Sequence, residues 1–184
     1  RAYELSGLVT FEINLGNLYL EIRKNKKAIG HFNNSLKKEN RNEYLHQLLA
    51  EAYIRELKHE LAIQHHKIAI SINPSNPKNY FLLGCDYIWS GNKKEAITNL
   101  ILALNLDHNY YEAYYALSRV HNIKLSDNLT KNILELDKRH SLSNKNKAFL
   151  NFSLAKIYDD HNDLINFSSY ITKANLFMKK ESKF

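Results

Sequence analysis

The 184 residues suffice for one domain with a sizeable core and are few for two. With 5 Gly and 2 Pro, the chain holds too few turn formers for an all-β sandwich or barrel; 44% hydrophobic against 24% charged residues describes a globular chain, and no apolar run approaches the roughly 18 residues of a membrane span. The net charge of +7 is spread evenly, with 12 Lys/Arg against 9 Asp/Glu in residues 1–92 and 14 against 10 in residues 93–184, so neither half is a basic tail for nucleic acid; the single cysteine, Cys85, cannot form an internal disulfide, which points to a reducing, cytoplasmic setting.

The first pair of elements is read from Leu15-Gly16-x-x-Tyr19, followed by Ala28 and Ser35. A small residue beside a large one suits a helix that crosses a neighbour closely, with Ala28 as the opposing surface. The string returns 34 residues later as Leu49-Ala50-x-x-Tyr53 with Ala62 and Ala69, and its apolar period stops at Ile72-Asn73-Pro74. Asn76 before Pro77 reads as a helix start, because a capping side chain precedes a proline whose missing N–H costs nothing in the first turn. The third copy follows as Leu83-Gly84-x-x-Tyr87, then Ala96, Leu100 and Ala103, with Gly91-Asn92 at its internal turn. Leu117, Ser118 and His121 keep the register in a fourth copy, where Thr130 replaces alanine. Residues 120–147 fit the period least. There Ser126-Asp127-Asn128 reads as a helix start, Ile133, Leu134 and Leu136 as the buried side of a short helix, and Lys138-Arg139-His140-Ser141 as its end. Ser143 caps the next helix, and after a three-residue slip Leu154-Ala155-x-x-Tyr158 and Ala174 make a fifth copy. The expected fold is all-α: ten helices in antiparallel pairs, stacked into a right-handed superhelical solenoid, with no strand.

Spacing and signposts together resemble the tetratricopeptide repeat (TPR), across nearly the whole chain. Repeats are expected at 9–42, 43–76, 77–110, 111–142 (degenerate) and 148–181, in a single domain 1–184. The resemblance implies a binding scaffold without catalytic activity, which takes a peptide or protein partner in a concave groove lined by the first helix of each pair. By register, the groove residues are Asn14, Asn17 and Glu21; Tyr44, Gln47, Glu51 and Arg55; Lys78, Phe81, Cys85 and Trp89; Tyr115, Arg119 and Asn122; and Phe152, Lys156 and Asp159. TPR co-chaperones that grip acidic C-terminal tails share a carboxylate clamp. Of its five positions only Asn17 and Lys78 match, while Ile13, Leu48 and Leu82 occupy the others, which argues against such a clamp. Residues 142–160 and Ala174-Asn175-x-Phe177-Met178-Lys179 also resemble the end of bacterial TPR arrays that precede a sulfotransferase domain, which would make this chain the docking or regulatory segment before a catalytic domain beyond residue 184.

Little else carries chemistry. No Gly-rich phosphate loop can be written, and no cofactor is expected. His59, His65 and His66 cluster without a third ligand on their helix face, so they read as packing or surface residues and no metal is expected; Asp159, Asp160 and Asp163 read as helix-end carboxylates. Basic runs such as Arg23-Lys24-Asn25-Lys26-Lys27 fall at turns, which argues against RNA. The last helix presents Leu164, Ile165, Phe167, Ile171, Leu176, Phe177 and Met178, an apolar face that a further domain or a second copy in a homodimer would cover. The chain opens at Arg1 rather than Met, as an excised fragment would.

Overall fold

Ten helices follow one another among the described residues, and none of those residues forms a strand: α1 (Ala2–Glu21), α2 (Asn25–Leu36), α3 (Glu43–Arg55), α4 (His59–Ile72), α5 (Pro77–Trp89), α6 (Lys93–Leu106), α7 (Tyr111–Ser118), α8 (Asp127–Asp137), α9 (Asn144–Asp160) and α10 (Leu164–Glu181). The computed structural model describes residues 2–120, 127–139 and 141–181, with side chains from residue 7 onward except at Asp127. His121, Asn122, Ser126 and His140, to which the sequence assigns roles, lie outside these residues. No described helix is long and apolar enough to cross a membrane. The chain forms two compact units, residues 1–95 and 96–184.

Helices begin and turn where local chemistry directs. Asn76 Oδ1 accepts from the Lys78 N–H at 3.0 Å with Pro77 in the first turn of α5, and Ser143 Oγ accepts from the Asn146 N–H at 3.2 Å. Asn42 caps α3 in the same way, accepting from the Leu45 N–H at 3.1 Å. Between the helices of a pair the chain reverses through a left-handed residue: Arg23 (φ 57°), Leu57 (φ 58°), Gly91 (φ 77°) and Asn162 (φ 57°). The residue after each donates its N–H to a tyrosine carbonyl five positions back, from Lys24 to Tyr19 (2.7 Å), Lys58 to Tyr53, Asn92 to Tyr87 and Asp163 to Tyr158 (all 2.9 Å). These bonds satisfy carbonyls that a helix end leaves open. Only Gly91 enters that conformation without a steric cost, and Asn162 enters more readily than Arg23 or Leu57.

In the first unit, α2 packs on α1 and α3, and α4 on α3 and α5. Leu20, Ala28, Phe32, Leu45, Leu49 and Ala52 form a continuous core. Gly16 sits against Phe32 rather than Ala28: a Cβ at position 16 would stand under 3.0 Å from three atoms of that fully buried ring. The expected small-residue crossing is therefore present, but an aromatic ring fills it. In the second unit α9 is central and packs against α7, α8 and α10. Its Ala148, Leu150, Leu154 and Ala155 are buried, as are Ile133 and Leu136 of α8 and Ala174 of α10. Tyr158 and Tyr170 stack across the α9–α10 pair at 5.4 Å.

Gly16→Ala should destabilise the chain by about 1–3 kcal/mol through overpacking on Phe32, despite alanine's better helix propensity. Urea denaturation checks this, and Phe32→Leu in the same background should recover part of the loss. Leu57 is 80% exposed and holds a positive φ with no packing to lose, so Leu57→Gly should raise stability by up to about 1 kcal/mol, read as a higher melting temperature.

Candidate functional site

Residues assigned to a groove from register alone fall into different surroundings in the two units. In the first, Asn14 and Glu21 on α1 are exposed and Asn17 is half-buried; Tyr44 on α3 and Lys78 on α5 are exposed. Glu51 is paired with Arg55 at 2.6 Å, and Arg55 also donates to the Leu20 carbonyl at 2.8 Å, so this pair ties α3 to the end of α1. Phe81 and Cys85 are half-buried, and Trp89 is 71% exposed. Gln47 is more enclosed than its neighbours, though it still lines a cleft with Tyr44 and Lys78. It is buried, and its Nε2 donates to Asn79 Oδ1 at 2.7 Å and to Glu43 Oε1 at 3.2 Å.

That glutamine belongs to a polar node which sequence reading missed. The Glu43 carboxylate in the first turn of α3 accepts from the side-chain amides of Gln47, Asn73, Asn76 and Asn79. Asn79 is fully buried and also donates to the carbonyls of Ala69 (3.3 Å) and Asn73 (3.1 Å). One carboxylate thus joins the start of α3 to the α4–α5 turn, and a helix N-terminus favours its charge. The 34-residue register carries no trace of it, although three asparagines at 73, 76 and 79 beside the turn are a visible clue. The node forms part of the wall of a cleft of about 930 Å³, where Glu43, Gln47, Asn73 and Asn76 meet Arg41, Tyr44 and Lys78, so the expected residues Tyr44, Gln47 and Lys78 converge on it.

Five of the expected residues meet in the second unit, Asp159 of α9 among them. Tyr115 and Arg119 at the end of α7, and Phe152 and Lys156 on α9, line a pocket of about 320 Å³. Its remaining wall comes from α10, where Phe167 and Ile171 stand one turn apart and half-buried. In the sequence these two read as part of an uncovered apolar face; the structure turns them inward beside Ala174, while Leu164, Ile165, Leu176 and Met178 stay exposed. Tyr115 packs against Phe152 (5.7 Å) and Phe149 (5.8 Å), and the Arg119 guanidinium lies over the Tyr115 ring at 5.6 Å. Lys156 is held by Asp160 and, at 3.6 Å, by Asp159; the hydrogen bond it donates to Asp160 keeps its pKa above the usual lysine value. Asp163 is occupied differently, capping α10 by accepting from the Asn166 N–H at 3.0 Å.

His31, His46, His65 and His66 make contacts between helices of the first unit. His66 is buried and hydrogen-bonds to the equally buried Asp86 at 2.5 Å, which joins α4 to α5. His65 stacks on Tyr53 at 5.4 Å and shares a proton with His46, Nδ1 to Nδ1, at 2.9 Å. Burial lowers the pKa of His46, and burial together with the neighbouring His46 and His66 brings His65 down to about 4. A shared proton between two ring nitrogens requires that one be neutral. One register earlier His31 stacks on Tyr19 at 5.2 Å and meets Glu12 at 2.6 Å, so the same two helix positions touch in both hairpins with different chemistry.

The family model described as ChAPs, the Chs5p-Arf1p-binding proteins, matches residues 9–165. Among solved structures, MamA is similar at 20% identity over 92% of this chain and 97% of that one, with a TM-score of 0.69. YrrB, described as a TPR protein with an unusual peptide-binding site, is similar at 15% identity over 94% and 91%, with a TM-score of 0.64. The first TPR of Spaghetti (RPAP3), bound to the HSP90 peptide SRMEEVD, is similar at 25% identity over 62% of this chain and 91% of that chain, with a TM-score of 0.59. No curated protein matches by sequence. The fold is thus all-α and of the TPR type.

The depressed histidines make stability pH-dependent in a definite direction. Below the unfolded value of about 6.5 the unfolded chain binds protons that the folded His65 and His46 resist, so stability present at neutral pH is lost as pH falls from about 6.5 towards 4. Urea midpoints at pH 7 and pH 5 measure this, and His65→Phe should flatten the dependence.

Proposed function

The chain belongs to the ChAPs, the Chs5p-Arf1p-binding proteins, and from that premise we propose that it is a non-catalytic scaffold that binds a protein or peptide partner through the groove face of its helix pairs. The observation that carries this reading is the α7–α9–α10 pocket, where Tyr115, Arg119, Phe152 and Lys156, expected to face a ligand from register alone, line one cavity with Phe167 and Ile171. Aromatic rings with an adjacent guanidinium are the side chains that most often dominate binding energy at interfaces. Repeats at 9–42, 43–76, 77–110, 111–142 and 148–181 belong to the same reading, with Asn14, Asn17, Tyr44, Glu51, Lys78, Phe81 and Trp89 as further contacts. Gln47 belongs with them: the Glu43 node fixes its side chain, and it lines the neighbouring cleft with Tyr44 and Lys78.

The family description names Chs5p and Arf1p, so these are the first partners to examine. The single-cysteine composition agrees with a cytoplasmic setting. The likeness to sulfotransferase-linked arrays gains no support from the matches, and the reading does without it.

Biolayer interferometry of the chain against purified Arf1p and Chs5p tests the proposal. Tyr115→Ala and Phe152→Ala should each weaken capture by about tenfold or more while melting temperature stays within a few degrees of the parent. Equal capture by both variants and by Trp89→Ala would move the contact to another surface.

A further inference from the structure

Resting on the groove reading, we propose that the α7–α9–α10 pocket takes one large apolar side chain of a peptide segment whose neighbouring residue is Asp or Glu, with that carboxylate pairing with Arg119. The apolar half of the proposal comes from the walls. Phe152, Ala155, Phe167 and Ile171 enclose a space of about 320 Å³, at the small end of the range for ligand cavities and suited to a single side chain rather than a cofactor. Tyr115 closes one side and is itself held by Phe149 and Phe152, so the cavity is pre-shaped by packed rings.

The acidic half comes from the charges around the pocket. Lys156 already has two carboxylates, Asp159 and Asp160, and Lys145 beyond Phe149 has Glu112 at 3.4 Å. Arg119 is different. It is exposed, its guanidinium rests on the Tyr115 face, and among the described residues no carboxylate pairs with it. A guanidinium held over a ring still offers N–H donors that the ring does not use, in the fork that matches a carboxylate. A side-chain carboxylate fits better than a C-terminal one, because α7 ends here and a helix end offers carbonyls rather than N–H donors. The Ser118 hydroxyl and the Arg119 and Val120 N–H groups are turned back onto the carbonyls of Tyr115, Ala116 and Leu117. Among the described residues this end of the pocket therefore offers no nest of backbone N–H groups of the kind that captures a C-terminal carboxylate. The net charge of +7 favours encounter with an acidic segment.

Fluorescence anisotropy of the full chain with labelled dodecapeptides tests this. The probe has a central Phe-Glu, Gly/Ser/Ala flanks and an amidated C-terminus; companions carry Phe-Gln or Ala-Glu, or the same Phe-Glu at a free C-terminus. The expected result is that Phe-Glu binds about tenfold more tightly than Phe-Gln to the parent, that Arg119→Gln removes this preference, and that the free C-terminus adds nothing. Equal binding of Phe-Glu and Phe-Gln, with Phe152→Ala abolishing both, would overturn the acidic specificity and leave the groove reading standing. Tightest binding by the free C-terminus would overturn the choice of carboxylate. No preference for Phe-Glu over Ala-Glu, with Phe152→Ala without effect, would overturn the pocket reading as well.

Discussion

The closeness with which the two helices of a hairpin approach each other governs how this chain packs. At Gly16 the gap is one Phe32 ring wide, and a single methyl group would collide with it. That approach is possible only because the chain reverses tightly between helices, and it does so by holding one residue in the left-handed region and returning the next N–H to a tyrosine carbonyl. Close crossing and tight reversal are therefore coupled. The turn sets the antiparallel register, the register aligns the small residue with the facing ring, and the apolar area buried there supplies the driving force.

The interior of the first unit is not uniformly apolar, and its polar groups specify which helix meets which. The buried His66–Asp86 pair joins α4 to α5, and Glu43 with its four amides joins α3 to the turn between them. Such groups contribute modestly to net stability when satisfied, and they are costly when a partner is removed. Their effect here is directional: a slipped register would leave a charge or an amide buried without a partner. The His46–His65 contact belongs to the same category, with the difference that it demands a neutral ring.

In the second unit the arrangement leaves room. α9 packs on three neighbours, and between α7 and α10, both seated on it, the side chains do not fill the space completely. The pocket walls from α10 are half-buried rather than exposed, so its shape is set by the same packing that holds α7, α9 and α10 together. A cavity built this way is pre-organised, which would reduce the ordering cost of capturing a flexible segment under the proposed reading.

The 34-residue period made helix type, pairing and the small-residue crossings legible, because close packing can be met by few residue types and those recur at fixed spacing. That Tyr115, Arg119, Phe152 and Lys156 share a cavity follows from the same period: register alone puts them on one face of the first helix in each pair. Other features were not legible. Gln47 shares that register, but that Asn79 and Glu43 hold its side chain depends on where the α4–α5 turn brings three asparagines. Arg23 and Leu57 adopt the conformation that Gly91 announces openly, since backbone closure outweighs a steric cost of about 1–2 kcal/mol per residue. Phe167 and Ile171 could be seen as apolar but not as pocket walls, because an apolar helical face carries no statement of which neighbour it meets. The linear sequence by itself determined the period, the helices and the faces they share. Only the tertiary structure decided which side chains on those faces remain available, because availability depends on partners brought from distant parts of the chain.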